Sequence, residues 1–181
     1  MNKFIGAMAA AAVSGVVLMG CGPAAEDAAA PEEFAADVAA VWEAYLATVQ
    51  ALADDDETAA RETAGEMQQA LASADPEALD DTSAAVWEQE HEALGASLDR
   101  FLDGEDIEAV RAQLEDVSAH MREIVTAFHG GVIGPVYVVH CPMAFDDQGA
   151  DWLDERDEVH NPYFGEMMYS CGSVTETLIE G

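Results

Sequence analysis

Residues 106–128 read DIEAVRAQLEDVSAHMREIVTAF, and their spacing decides the fold class. Apolar side chains fall at Ile107, Val110, Leu114, Val117, Met121, Ile124 and Phe128, steps of three and four that put them on one helical face. Asp106 opens the pattern and Gly130-Gly131 lies just past its end. Upstream the same periodicity recurs. Trp87, His91, Leu94, Leu98, Phe101 and Leu102 form one face, with Thr82 or Ser83 as cap and Asp103-Gly104 as the stop. An Ala-rich stretch carrying Met67 and Leu71 runs to Asp75-Pro76, and Phe34, Val38, Val41, Trp42, Tyr45, Val49 and Leu52 line the first face until Asp54-Asp55-Asp56-Glu57 interrupts it. Pro31 suits the first helical position. Four amphipathic helices on short loops predict a mainly α fold, an up-and-down four-helix bundle.

Past Gly134-Pro135 the pattern changes. Val136-Tyr137-Val138-Val139 is β-branched and aromatic and reads as a short strand ending at His140-Cys141-Pro142-Met143. The rest is rich in turn-formers and sulfur, through Asn161-Pro162-Tyr163-Phe164-Gly165 and Met167-Met168-Tyr169-Ser170-Cys171-Gly172. A single domain over 31–181 is expected, with the bundle at 31–129 and a small C-terminal β/loop lobe at 130–181.

The first thirty residues are of another kind. Lys3 and the apolar run Phe4–Met19, broken by Gly6, Ser14 and Gly15, read as a signal peptide over 1–20. Its Leu18-Met19-Gly20-Cys21 ending resembles the lipobox of bacterial lipoproteins, which implies acylation of Cys21 and a stable membrane anchor. Gly22, rather than Asp, after the cysteine implies the outer membrane by resemblance to enterobacterial sorting signals. Residues 21–30 form an Ala/Pro/acid tether. The expected location is the periplasmic side of the envelope.

The 181 residues hold 6 Lys and Arg against 37 Asp and Glu, a formal charge of −31. After position 20 only five arginines oppose all 37 acids, a net −32. Such a field repels phosphate backbones and excludes nucleic acid as a partner. No Walker loop, G-x-S-x-G elbow, H-E-x-x-H or C-x-x-C-H is present, so no enzymatic role is expected.

With Cys21 lipidated, the folded part keeps Cys141 and Cys171 in an oxidising compartment, where two cysteines commonly pair as a disulfide. The competing reading joins them to Met143 and Met168. Two thiolates and two thioethers are soft donors that select Cu(I) or Ag(I) over hard cations. The residue types alone leave both open. Among the histidines, His91 lies on an apolar face and His140 beside Cys141, where strand alternation points it to the other side; His120 flanks the fourth helix's stripe and His129 sits at its end.

His140-Cys141-Pro142-Met143-Ala144-Phe145, Gly149-Ala150-Asp151-Trp152-Leu153, and Asn161-Pro162-Tyr163-Phe164-Gly165 followed by Met168 and Cys171-Gly172 resemble the signature of a periplasmic copper-binding domain family, long catalogued as a domain of unknown function. The resemblance runs upstream through Asp106–Arg111 and Ser118 and, more loosely, over 34–180. That family occurs fused to membrane-fusion adaptors of copper/silver efflux pumps or as stand-alone secreted and lipidated proteins. The resemblance implies Cys141, Met143, Met168 and Cys171 as ligands of Cu(I) or Ag(I), with Met167 a spare where the family varies, and an efflux adaptor or pump as partner; His91 and His140 read first as structural and are the less favoured ligands. The chain departs from the family pattern at His160, where Arg is common.

Overall fold

The computed structural model describes residues 31–132 and 134–181. The expected signal peptide over 1–20, the expected lipidation of Cys21 and the expected tether over 21–30 fall on residues outside those described. Four helices dominate: α1 Glu32–Ala53, α2 Glu57–Ser73, α3 Asp81–Leu102 and α4 Ile107–Ala127. Consecutive helices pack on one another and α4 returns to α1, the neighbour order of an up-and-down bundle. Helix α1 starts at Glu32, one residue later than expected, with Pro31 accepting the Ala35 N–H.

Much of the acidity near the turns is structural. Asp56, Asp80 and Asp106 cap α2, α3 and α4, accepting respectively from Ala59 N, from Thr82 N and Ser83 N, and from Ala109 N. Caps of this kind satisfy amides that the first turn of a helix leaves free. The cap of α3 is thus Asp80 and not Thr82 or Ser83, because a carboxylate reaches both free amides of the first turn. All of the first face, Phe34 to Leu52, is buried, as are Ala60, Ala64, Met67 and Leu71 of α2. Phe34, Trp87 and Phe128 meet edge to face, with centroids 4.8 to 5.8 Å apart, and close one end of the bundle.

The C-terminal lobe is an antiparallel sheet of order β2-β1-β3, from β1 Val136–Cys141, β2 Ala150–Asp154 and β3 Ser173–Ile179. The single strand expected at 136–139 is therefore the centre of three, and it extends through Cys141. Trp152 pairs with Val139, Asp151 with His140 and Ala150 with Cys141. Strand β3 is an edge strand, exposed from Ser173 to Thr177, and holds two register shifts against β1.

One tyrosine fastens the lobe to the bundle and another braces the lobe itself. Leu153 N donates to Tyr45 Oη at 2.9 Å, and Tyr45 Oη stands 2.8 Å from Ser118 Oγ, so one hydroxyl ties β2 to α1 and α4. Tyr163 Oη donates to Asp151 O at 2.6 Å. Burial pushes both phenols well above their ordinary value, so both hydroxyls stay protonated.

Candidate thiol site

Cys141 is the last residue of the central strand and has no exposed surface. Cys171 sits half-buried on the turn that leads into β3. Their Sγ atoms are 3.8 Å apart and both are free thiols. Thirty residues separate them, and the sheet closes the gap: Ser173 is the partner of His140, so the two preceding residues arrive beside Cys141. The Cys171 thiol is pushed up from its ordinary pKa by burial first and by the neighbouring Cys141 second. Such a thiol gives up its proton most readily to an acceptor that binds the thiolate, as a soft metal ion does.

The backbone around Cys171 is fixed. Asn161 Nδ2 donates to Cys171 O at 2.7 Å, Cys171 N donates to Met168 O at 2.9 Å, and Asn161 N donates to Tyr169 O at 2.7 Å. Asn161 Oδ1 accepts from Tyr163 N and Phe164 N. Gly172, at φ +137°, passes so close to β1 that a Cβ there would stand 2.8 Å from His140 O and 3.2 Å from Trp152 Cη2. Trp152 is itself fully buried, pairs edge to face with Tyr163, and has no acceptor for its indole N–H among the described residues.

Arg111 anchors this loop to the bundle. Its guanidinium donates to Pro162 O at 2.8 Å, to Leu52 O at 2.6 Å and to Asp55 Oδ1 at 2.6 Å. Asp55, at φ 57°, also accepts from Glu166 N. Hydrogen bonding to Arg111 and then to Glu166 holds the Asp55 carboxyl below its ordinary value. Gly165 lies against this pair, and a Cβ there would fall 2.0 Å from Asp55 Oδ1.

The remaining candidates occupy different places. Met143 is 45% exposed on the turn after β1, and Met168 is half-buried one turn before Cys171. Met167 is 78% exposed and lines a cleft of about 210 Å³ with Glu108, Arg111, Phe145 and Phe164. Phe145, Asp146 and Asp147 all take left-handed backbone angles, which turns the chain sharply between β1 and β2. His140 faces the opposite side of the sheet from Cys141, with Nδ1 2.7 Å from Asp151 Oδ1. His91 lies against Trp87 in the half of the bundle closed by Phe34 and Phe128, whereas Arg111, near the start of α4, bonds the loop that leads to Cys171. His120 is bound to Glu90 across α3 and α4 at 2.9 Å. At the departure from the family pattern, His160 packs on Tyr169 with centroids 4.8 Å apart. Charge pairing nearby comes from Arg156, which forks onto the buried Asp154 and reaches Gln50.

Sequence reasoning overlooked Asn161 as the loop's organiser, the Tyr45 hydroxyl and the Arg111–Asp55 pair. The Asn-Pro dipeptide carried a turn signal for the first. The other two are contacts between residues far apart in the chain. Among the described residues no three of His, Cys, Asp and Glu converge as a metal cluster, and no helix is long and apolar enough to cross a membrane.

Residues 41–131 match the family described as protein of unknown function (DUF3347), a stretch that covers most of α1 and all of α2, α3 and α4 and stops short of β1. No curated protein and no solved structure matches the chain. The match spans half of the sequence, and the chain therefore belongs to the DUF3347 family.

Proposed function

We propose that this is a lipid-anchored, non-enzymatic protein of the periplasmic side of the envelope that binds Cu(I) or Ag(I) as cargo through Cys141 and Cys171, with Met143 and Met168 as flanking thioethers. The observation that carries the reading is the pair of free thiols 3.8 Å apart. Thiolates sharing one ion through metal–sulfur bonds of about 2.3 Å stand about 3.8 Å apart at a tetrahedral angle and about 4.0 Å apart at a trigonal one. The pair needs little movement to reach either. Its other donors in sequence are thioethers, which favours a soft monovalent ion over zinc or calcium. The lobe supplies the ligands and the bundle supplies the frame. Buffering the ion or passing it to an efflux adaptor or pump is the role this implies.

Anaerobic titration of reduced protein with Cu(I) against a competing chelator tests the reading, with X-ray absorption at the copper edge to count sulfur neighbours. Sulfur-only coordination, lost in the Cys141→Ser, Cys171→Ser double variant, is expected. Equal binding by that variant, or failure of the reduced protein to hold the ion, sinks it. The same proximity favours a second reading, a structural or interaction module stapled by a Cys141–Cys171 disulfide. A thiol count on protein purified without reductant separates the two.

A further inference from the structure

The two thiols differ in a way that neither an ion nor a permanent cross-link requires. Cys141 is sealed at the end of the central strand, while Cys171 is reachable from solvent. We propose that the pair is a thiol–disulfide exchange centre in which Cys171 is the entering nucleophile and Cys141 the resolving thiol, with a cationic disulfide as its preferred substrate. This rests on the geometry of the dithiol and not on the copper reading.

In the first step Cys171 loses its proton to water and then attacks one sulfur of R–S–S–R as the thiolate. The R–S–S–R bond breaks, a mixed disulfide forms on Cys171, and the leaving thiolate takes up the proton Cys171 released. In the second, the Cys141 thiolate attacks the Cys171 sulfur, the Cys141–Cys171 bond forms, and the second R–S⁻ leaves with the proton of Cys141. Two electrons and two protons pass from the protein to the disulfide, which ends as two R–SH. The second step is intramolecular. The 3.8 Å between sulfurs must close to about 2.05 Å, a change that side-chain rotation can supply while Asn161 and Met168 hold the Cys171 backbone.

Charge selects the substrate. Asp54 and Glu166 line a cleft with Tyr169, two residues from Cys171. All five arginines among the described residues are already paired with carboxylates, Arg61 with Glu57, Arg100 with Asp116, Arg111 with Asp55, Arg122 with Glu176 and Arg156 with Asp154. An anionic disulfide meets net repulsion and a cationic one net attraction, both screened by salt.

The test mixes the reduced full chain, without metal, with cystamine or with oxidised glutathione, and follows intact mass and peptide maps, which also resolve Cys21. The expected result for the wild type is loss of two hydrogens with no lasting adduct. Cys141→Ala should hold the adduct on Cys171, and Cys171→Ala should react on the order of tenfold more slowly or less. Cystamine should outpace oxidised glutathione, and the ratio should shrink as salt rises. Should a variant misfold, limiting iodoacetamide on the wild type gives the same answer, with Cys171 labelled before Cys141. First labelling at Cys141, equal rates in the two single variants, a stable Cys171 adduct on the wild type, or equal rates with the two disulfides would overturn the proposal. Failure of the Cu(I) titration would leave it standing, since no metal enters the exchange.

Discussion

Replacing Arg111 by methionine keeps the aliphatic bulk and removes the fork that ties the 161–171 loop to the α1–α2 corner. The Arg111 side chain is 11% exposed, so its two bonds to the carbonyls of Leu52 and Pro162 are largely shielded from water. Charge-assisted bonds to such acceptors are worth about 1.5 kcal/mol each at the lower end of their range. The Asp55 partner is 41% exposed, and its ion pair adds about 0.5 kcal/mol after solvent screening. The expected loss is about 3.5 kcal/mol, a large part of the roughly 5–15 kcal/mol of a typical domain. At about 2–4 °C per kcal/mol for a chain of this length, Tm should fall by about 7–14 °C. Urea unfolding followed by circular dichroism measures the loss. Alkylation of Cys171 should also become faster, because Pro162 is freed while Cys141 stays on its strand. Arg111→Lys should recover only part of the loss, since an ammonium lacks the planar fork. A methionine variant within about 1 kcal/mol of wild type, with unchanged Cys171 reactivity, would refute the assignment of Arg111 as the anchor.

Gly172→Ala should cost about 2 kcal/mol, because its Cβ meets His140 O at 2.8 Å in a conformation that L side chains rarely adopt, and thermal unfolding reads this directly. Tyr45→Phe leaves the Leu153 amide and Ser118 hydroxyl buried without their shared partner. About 1–3 kcal/mol should be lost, with faster hydrogen exchange at the Leu153 amide as the local signature. Asp55 has a folded-state pKa below its unfolded one, so its contribution is present above the ordinary carboxylate range and disappears as pH falls through the depressed value. Wild type and Asp55→Asn, which tolerates the same left-handed backbone, should therefore differ in stability at neutral pH and converge in acid; a gap that persists or widens in acid contradicts the pairing.

The helices were legible because their information is local: the three-and-four spacing of Ile107 to Phe128 and the Asp106 cap need only one turn of chain to be read. The cap of α3 was missed by two to three residues because Thr82, Ser83 and Asp80 all carry capping oxygens, and only the geometry shows which reaches the free amides. Strand β3 did carry a signal, with Val174, Thr175, Thr177 and Ile179 β-branched, yet its bulges spoil the alternation by which a strand is recognised. Strand β2 is defined largely by what it pairs with, so Ala150–Asp154 holds little evidence of itself. Cys141 and Met143 could be singled out as chemistry at a strand end. The closeness of Cys141 to Cys171 depends on the β1–β3 register, and the Arg111–Asp55 contact joins positions 56 apart, which no periodicity encodes.

The placement of the two sulfurs divides them between different layers of cooperativity. Cys141 rides on the end of the central strand and is fully buried, so its position is set by the sheet. Cys171 rides on a loop pinned by Asn161 and Arg111, which can open while the bundle stays intact. The protein thus has one sulfur set in its frame and one on its loop. Substitutions in 155–171 can retune the spacing, accessibility and residence time of the pair over generations without rebuilding the helical frame, and inheritance of the frame and specialisation of the loop can proceed at separate rates.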